Sequence, residues 1–122
     1  MFKDLNVLQL AGAMARHAAQ RQSVIAENVA NANTPGFKAK DLQSFQEAFA
    51  NSQLGNAGAS GIPTSFRVEE SSAAGTASPN GNTVSLEDQV WRGAKAKSNH
   101  DTAVTIYSKA VSLLRATLRT ER

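Results

Sequence analysis

Between Lys3 and about Ala32 the small and apolar residues recur on a heptad: Leu8, Ala15, Gln22 and Val29 stand seven apart, with Ala11, Ala18 and Ile25 interleaved. Arg16, Gln20, Arg21 and Glu27 fall mostly off that stripe, so the pattern predicts one long helix with a narrow seam of small side chains. A second helical pattern resumes at Ser85 and runs to about Leu118. Val90, Lys97, Val104, Val111 and Leu118 form one register, and Leu86, Gly93, His100, Tyr107 and Leu114 the other. Ser85 and Asp88 have the spacing of a capping box at its start. Ala103, Ile106, Ala110 and Leu113 widen its apolar stripe, while Lys97, Asn99, His100 and Asp101 make its middle polar, a place for a break or a change of partner.

The segment between the two patterns is of another kind. Leu42, Phe45 and Phe49 keep a helical spacing, which suits a short helix or a loop folded onto the first helix. Asn51 to Gly61 and Ser71 to Gly81 are rich in Gly, Ser, Asn and Ala and read as flexible linker. Between them Thr64, Phe66 and Val68 alternate with Ser65, Arg67 and Glu69, the period of a strand. At the exit of the first helix, Thr34-Pro35-Gly36-Phe37 has the residues of a type II turn, with proline setting φ at the second position and glycine supplying positive φ at the third. Asn31 and Asn33 are the non-glycine residues that best tolerate a left-handed helix end.

The fold expected is mainly α: two long terminal helices, roughly 45 and 50 Å long at 1.5 Å per residue, pairing as an antiparallel coiled-coil-like hairpin around an irregular, partly extended middle. By position this gives an N-terminal helix over 1–34, then over 35–84 a turn, a short helix or loop and a linker with one strand, and a C-terminal helix over 85–122. Together they make a single assembly domain.

Composition narrows what such a hairpin can do. One Trp, one Tyr and five Phe among 122 residues leave a thin core. Alanines bury little area at about 25 cal/mol per Å², so a seam of them asks for further copies or a partner. The net charge of +3 and pI near 9.6 come from scattered Lys and Arg. A small basic helical nucleic-acid-binding protein is the alternative reading, with Trp91 between basic neighbours as its stacking residue; an interface aromatic is the simpler account of that tryptophan. A membrane-surface role fits poorly, because the first helix lacks a bulky apolar face, and no run approaches the roughly 18 apolar residues of a span. The N-terminal run of Leu5, Val7, Leu8 and Leu10 is interrupted by Asn6 and Gln9, and Asp4 cancels Lys3, so it does not read as a cleaved signal peptide.

Chemistry is sparse. The absence of Cys excludes a disulfide framework and a thiol nucleophile. His17 falls on the polar side of the first helix and reads as solvated, and His100 as a polar residue that sets register. Glu69-Glu70 and Glu87-Asp88 read as a solvated pair and a favourable placement at a helix start. No nucleophile elbow, P-loop or dinucleotide fingerprint occurs. No catalytic, metal or cofactor-binding residue is expected, and no enzyme.

The stretch Asn28-Val29-Ala30-Asn31-Ala32-Asn33-Thr34-Pro35-Gly36-Phe37 resembles the motif that ends the N-terminal helix in the rod and hook proteins of the bacterial flagellum. Asn80-Gly81-Asn82-Thr83-Val84, leading into the second helix, is similar to the small proximal rod members of that family, which also lack a large inserted domain. The resemblance covers roughly residues 3–50 and 80–118. It implies a non-enzymatic axial subunit of the basal-body rod that packs helix on helix and transmits torque from the motor. It further implies type III export without a cleaved signal peptide and a place in the periplasmic rod. Partners would be copies of itself, other rod proteins, and the ring adaptor and export-gate proteins of the inner membrane, with no nucleic acid, membrane insertion, small-molecule substrate or cofactor. On this reading Asn28, Asn31, Thr34, Pro35, Gly36 and Phe37 shape the turn and touch neighbours, and Leu8, Ala15, Ile25, Val104, Tyr107, Val111 and Leu114 pack helices together.

Overall fold

The computed structural model describes residues 2–56, 61–71 and 77–120. Helix α1 (Phe2–Ala30) and helix α3 (Leu86–Thr120) form an antiparallel hairpin: Asn28 meets Gln89 near the loop end, and Leu8 and Tyr107 line one cleft near the other. α3 is continuous through its polar middle, where Lys97 and Asp101 pair at 3.2 Å with helical i,i+4 spacing. Ser85 accepts from the Asp88 amide at 3.3 Å, the first half of the capping box. The Asp88 carboxylate is turned instead to Arg92.

The α3 seam is Gln89, Ala96, Ala103 and Ala110, seven residues apart and all buried. These lie between the two registers read from the bulky residues. Val90, Val104, Tyr107 and Leu118 are exposed, and Val111 and Leu114 half-buried. Ala11 and Ala18 supply the facing buried positions of α1, with Ile25 below them. Methyl-sized side chains let two helix backbones approach closely, whereas Val, Leu or Tyr at the same positions would hold them apart. Close packing thus selects alanine for the seam and leaves the larger residues on its flanks.

The middle segment is a second layer against α1. Strand β1 (Lys40–Leu42) pairs antiparallel with β2 (Val68–Glu70) in the register Lys40 with Glu70, Asp41 with Glu69 and Leu42 with Val68. Backbone bonds from Gln43 to Arg67 (2.7 Å) and from Ser71 to Ala39 (2.8 Å) extend the ladder at both ends. Of the alternating run only Val68 and Glu69 join the ladder. Ile62, Pro63 and Phe66 are buried before it, so that stretch is extended packing material. Helix α2 (Phe45–Asn51) begins at Ser44, whose hydroxyl accepts from the Glu47 amide at 3.1 Å, and continues as a π-helical turn over Ser52–Asn56. Ser52 Oγ then donates to the Gly61 carbonyl at 2.6 Å. Of the two stretches read as linker, 57–60 and 72–76 lie outside the described residues; the parts on either side are held in regular structure and turns.

Val24, Leu42, Ala48 and Phe66 form the small core beneath this layer, with Phe45 packed on it. His17 belongs to it as well. The imidazole is 8% exposed, lies edge-on to Phe66 (4.8 Å between centroids) and Phe45 (5.9 Å), and bonds through Nε2 to the Gln43 carbonyl at 2.7 Å. The helix face that reads as polar from α1 alone is covered by the middle layer, and His17 supplies the donor that β1 requires there.

Because the seam depends on close approach, Ala96→Leu is expected to destabilise the chain by about 1–3 kcal/mol in urea unfolding. Val90→Leu, on the exposed flank, should change stability by less than about 0.5 kcal/mol.

Candidate functional site

The two segments singled out by sequence, Asn28–Lys38 and Asn80–Val84, dock on each other at the loop end of the hairpin. α1 ends with bifurcated bonding of the Asn31 amide to Glu27 and Asn28, both at 3.1 Å, and Thr34 N donates to the Asn31 carbonyl at 3.0 Å. The expected turn follows, with Phe37 N donating to Thr34 O at 3.2 Å and Gly36 at φ +76°. Asn31 and Asn33 do not take the left-handed conformation; among the described residues only Gly36, Gly61 and Gly81 have positive φ. The Asn31 side chain instead donates back to Glu27 O at 2.9 Å and accepts from Thr34 Oγ1 at 3.1 Å, so the helix unwinds through side-chain bonds.

Asn82 locks the second segment onto the first. Buried to 2% exposure, its amide donates to Asn31 O (2.9 Å) and Thr34 O (2.8 Å), a second donor for each of these carbonyls where α1 ends, while its oxygen accepts from Val84 N at 2.8 Å. Gly36 N donates to Asn80 O, and Thr83 N to Phe37 O, both at 3.0 Å. Thr83 Oγ1 accepts from Ala39 N at 2.7 Å, and Lys38 Nζ donates to Gly81 O at 3.0 Å. Gly81, at φ +85°, lies against Gly36: a Cβ built on it would stand 3.5 Å from Gly36 Cα. Left-handed backbone therefore recurs on both sides of one contact, and glycine meets it without strain.

Asn28 joins all three layers. Fully buried, it accepts from Lys40 N at 3.0 Å and donates to Lys40 O at 2.6 Å, pairing with β1 as a neighbouring strand would, and it also donates to Gln89 Oε1 of α3 at 3.0 Å. Beside it runs an ion network unanticipated from sequence. Arg21 of α1 grips Asp41 of β1 through two bonds of 3.1 Å, and Arg92 of α3 donates to the same carboxylate and, at 2.8 Å, to Asp88. These side chains are all largely covered. Burial pushes the Asp41 carboxyl up, but hydrogen bonds from Arg21 and the Leu42 amide, with the charges of Arg21 and Arg92, outweigh it and hold the group below its ordinary value of 3.8. Only Asp88 and Arg92 have a local, i,i+4 spacing; Asp41 lies 20 residues from Arg21 and 51 from Arg92, so no local signal announces its place between them.

The other expected residues divide by position. Pro35, Thr34 and Gly36 are exposed at the turn, Asn31 half-buried, and the half-buried Phe37 ring lies under Lys40 Nζ at 5.8 Å. Of the residues expected in helix packing, Ile25 is buried, Leu8, Ala15, Val111 and Leu114 are half-buried, and Val104 and Tyr107 face solvent. His100 lies 4.0 Å from Asp101 on a partly exposed face. Among the described residues no cluster of three His, Cys, Asp or Glu could hold a metal ion. The chemistry present is backbone shaping and contact.

Comparison with known proteins gives the junction a family context. Residues 10–38, from the middle of α1 through the turn, match the family described as flagella basal body rod protein. Two relatives, each called flagellar basal body rod protein FlgB, match over most of their length. That of Agrobacterium fabrum is 28% identical over 110 residues, covering 81% of this chain and 82% of its own. That of Yersinia enterocolitica is 27% identical over 103 residues, covering 72% and 75%.

Asn28→Ala would leave Lys40 N, Lys40 O and Gln89 Oε1 without partners in a buried place, and is expected to cost about 3 kcal/mol or more in chemical denaturation. Asp41 has a depressed pKa, so its contribution is complete above the unfolded-state value near 3.9 and is lost as pH falls through the lower folded value. Urea midpoints measured across the acid range should drop below about pH 4 in the parent chain, and Asp41→Asn should lack that part of the drop.

Proposed function

We propose that this FlgB-like rod protein is a structural axial subunit of the proximal rod, in which the hairpin packs side by side with neighbouring helices and passes torque along the axis. The observation that carries the reading is the division of α3: its alanines close the hairpin, while Val104, Tyr107 and Leu118, at helical spacing along one flank, stay exposed beside them. Scattered exposed apolar residues are ordinary on a monomer, but a continuous run along a helix flank suits an interface. The junction at the loop end supports the same reading. It holds the α1 exit, the middle layer and the α3 entry in one geometry, as a subunit repeating along a tube requires.

Its partners would be copies of itself, other rod proteins, and the ring adaptor and export-gate proteins at the inner membrane. The place of assembly would be the periplasmic rod, reached by type III export without signal cleavage. Asn28, Asn31 and Thr34 to Phe37 would set the turn and its outward contacts, and the exposed Val104 and Tyr107 would meet neighbours together with the half-buried Leu8, Ala15, Val111 and Leu114. Ile25 would stiffen the hairpin from within. The three stretches of the chain would act as one assembly domain.

Gly36→Val tests the turn. A Cβ at Gly36 would meet nothing within 4 Å, so the substitution acts through the strain of φ +76° alone. Cells carrying this variant are expected to express the chain normally but to lose its incorporation into basal bodies and their swimming. Normal incorporation would remove the turn from the account. Photocrosslinkers placed at Phe37 and Tyr107 in intact basal bodies should capture rod subunits or ring components, and capture of none would count against the assembly reading.

A further inference from the structure

The two edges of the small sheet are finished differently. Along an antiparallel pair, alternate residues turn their amide and carbonyl towards the partner strand, and the residues between turn theirs outward. The bonds from Gln43 N to Arg67 O and from Ser71 N to Ala39 O put Arg67, Glu69 and Ser71 on the inner side of β2, so Val68 and Glu70 face outward. On β1 the outward residues are Lys40 and Leu42, and side chains occupy them. Asn28 takes the amide and carbonyl of Lys40, and the Asp41 carboxylate accepts from Leu42 N at 2.7 Å. On β2 no hydrogen bond among the described residues reaches the outward groups, and both residues are exposed, Val68 to 46%. An open strand edge of this kind is a template for another strand.

The side chains on the edge select which strand fits. Arg67 and Glu69, two residues apart, share one face and bond each other at 2.8 Å, and Val68 between them belongs to the other face. A strand added antiparallel therefore suits the edge when it sets an acid opposite Arg67, a base opposite Glu69 and a β-branched residue opposite Val68. Read in its own direction, that strand runs base, apolar, acid, which is the order of Arg67-Val68-Glu69 itself. We propose that β2 pairs antiparallel with β2 of a second copy about a two-fold axis at Val68. The outward amide and carbonyl of each Val68 bond those of its counterpart, and an Arg67–Glu69 pair stands on either side at the closely spaced, non-hydrogen-bonded positions. The register centred on Glu69 would set that carboxylate against its own copy and is opposed by like charge. A two-fold contact closes on itself and cannot repeat along a filament, so it belongs to the chain in solution and is tested independently of incorporation into a rod.

The full-length chain is expected to dimerise weakly in sedimentation equilibrium, with Kd about 0.1–1 mM for a contact of so few residues. By NMR the Val68 amide should exchange with solvent quickly in dilute solution and more slowly as concentration rises, while the Glu69 amide, on the inner side, should not respond. Val68→Pro removes only an outward donor, which a sheet edge tolerates, and should weaken dimerisation about tenfold or more with circular dichroism unchanged. Arg67→Glu and Glu69→Arg should each abolish self-association by setting like charges across the axis, and mixing the two folded variants should restore a dimer containing one of each. A chain that stays monomeric at millimolar concentration would overturn the proposal, as would a mixture of the charge variants that does not associate. So would association that Val68→Pro leaves unchanged, because the contact would then lie on another surface.

Discussion

Asn28 is where the three layers of the molecule are tied together. Its one carboxamide occupies both the amide and the carbonyl of Lys40 and still reaches Gln89, so α1, β1 and α3 meet at a single buried side chain. Strand pairing normally extends over several residues; here a short β1 is held in place by an asparagine acting as the missing neighbour. Asn82, from the segment that leads into α3, repeats the device, spanning the two carbonyls where α1 unwinds. Directional bonds of this kind specify geometry, which an alanine seam cannot do, since methyl contacts permit sliding and rotation.

That division of labour runs along the whole hairpin. At the loop end, hydrogen bonds and the Arg21–Asp41–Arg92–Asp88 network fix how the helices enter and leave. Towards the free ends the helices touch through Ala11, Ala103 and Ala110, and their larger apolar residues point elsewhere. The arrangement suits the proposed rod subunit: one end is set by its own chain, and the other keeps apolar surface exposed. The relation to basal-body rod proteins accords with it, the family match being centred on α1 and the turn.

Much of the site was legible in the sequence because turn chemistry is local. Pro35 and Gly36 dictate their own dihedrals, whereas Asn80 to Val84 is marked only by its resemblance to the rod-protein family. What was not legible is that these two motifs bond to each other across more than 40 residues. His17 was misplaced for the same reason: periodicity assigns a face relative to one partner helix, and a second layer covers another face. Arg21 and Arg92 carry no mark, in their neighbours or spacing, of the shared carboxylate at Asp41.

The amino-acid sequence by itself determined two long helices, their antiparallel return, the stop and turn after α1, and a thin core, because propensity, period and turn residues act over a few positions. The tertiary structure alone decided the register of the seam. Both Val90–Val104 and Ala96–Ala103 spacings are heptads, and only the close approach of two backbones, which favours the smaller side chain, chooses between them. It also decided that the middle is a packed layer with its own sheet and that four charges share one buried network. Those depend on which distant segments meet, a choice made by the total burial and bonding of the folded chain.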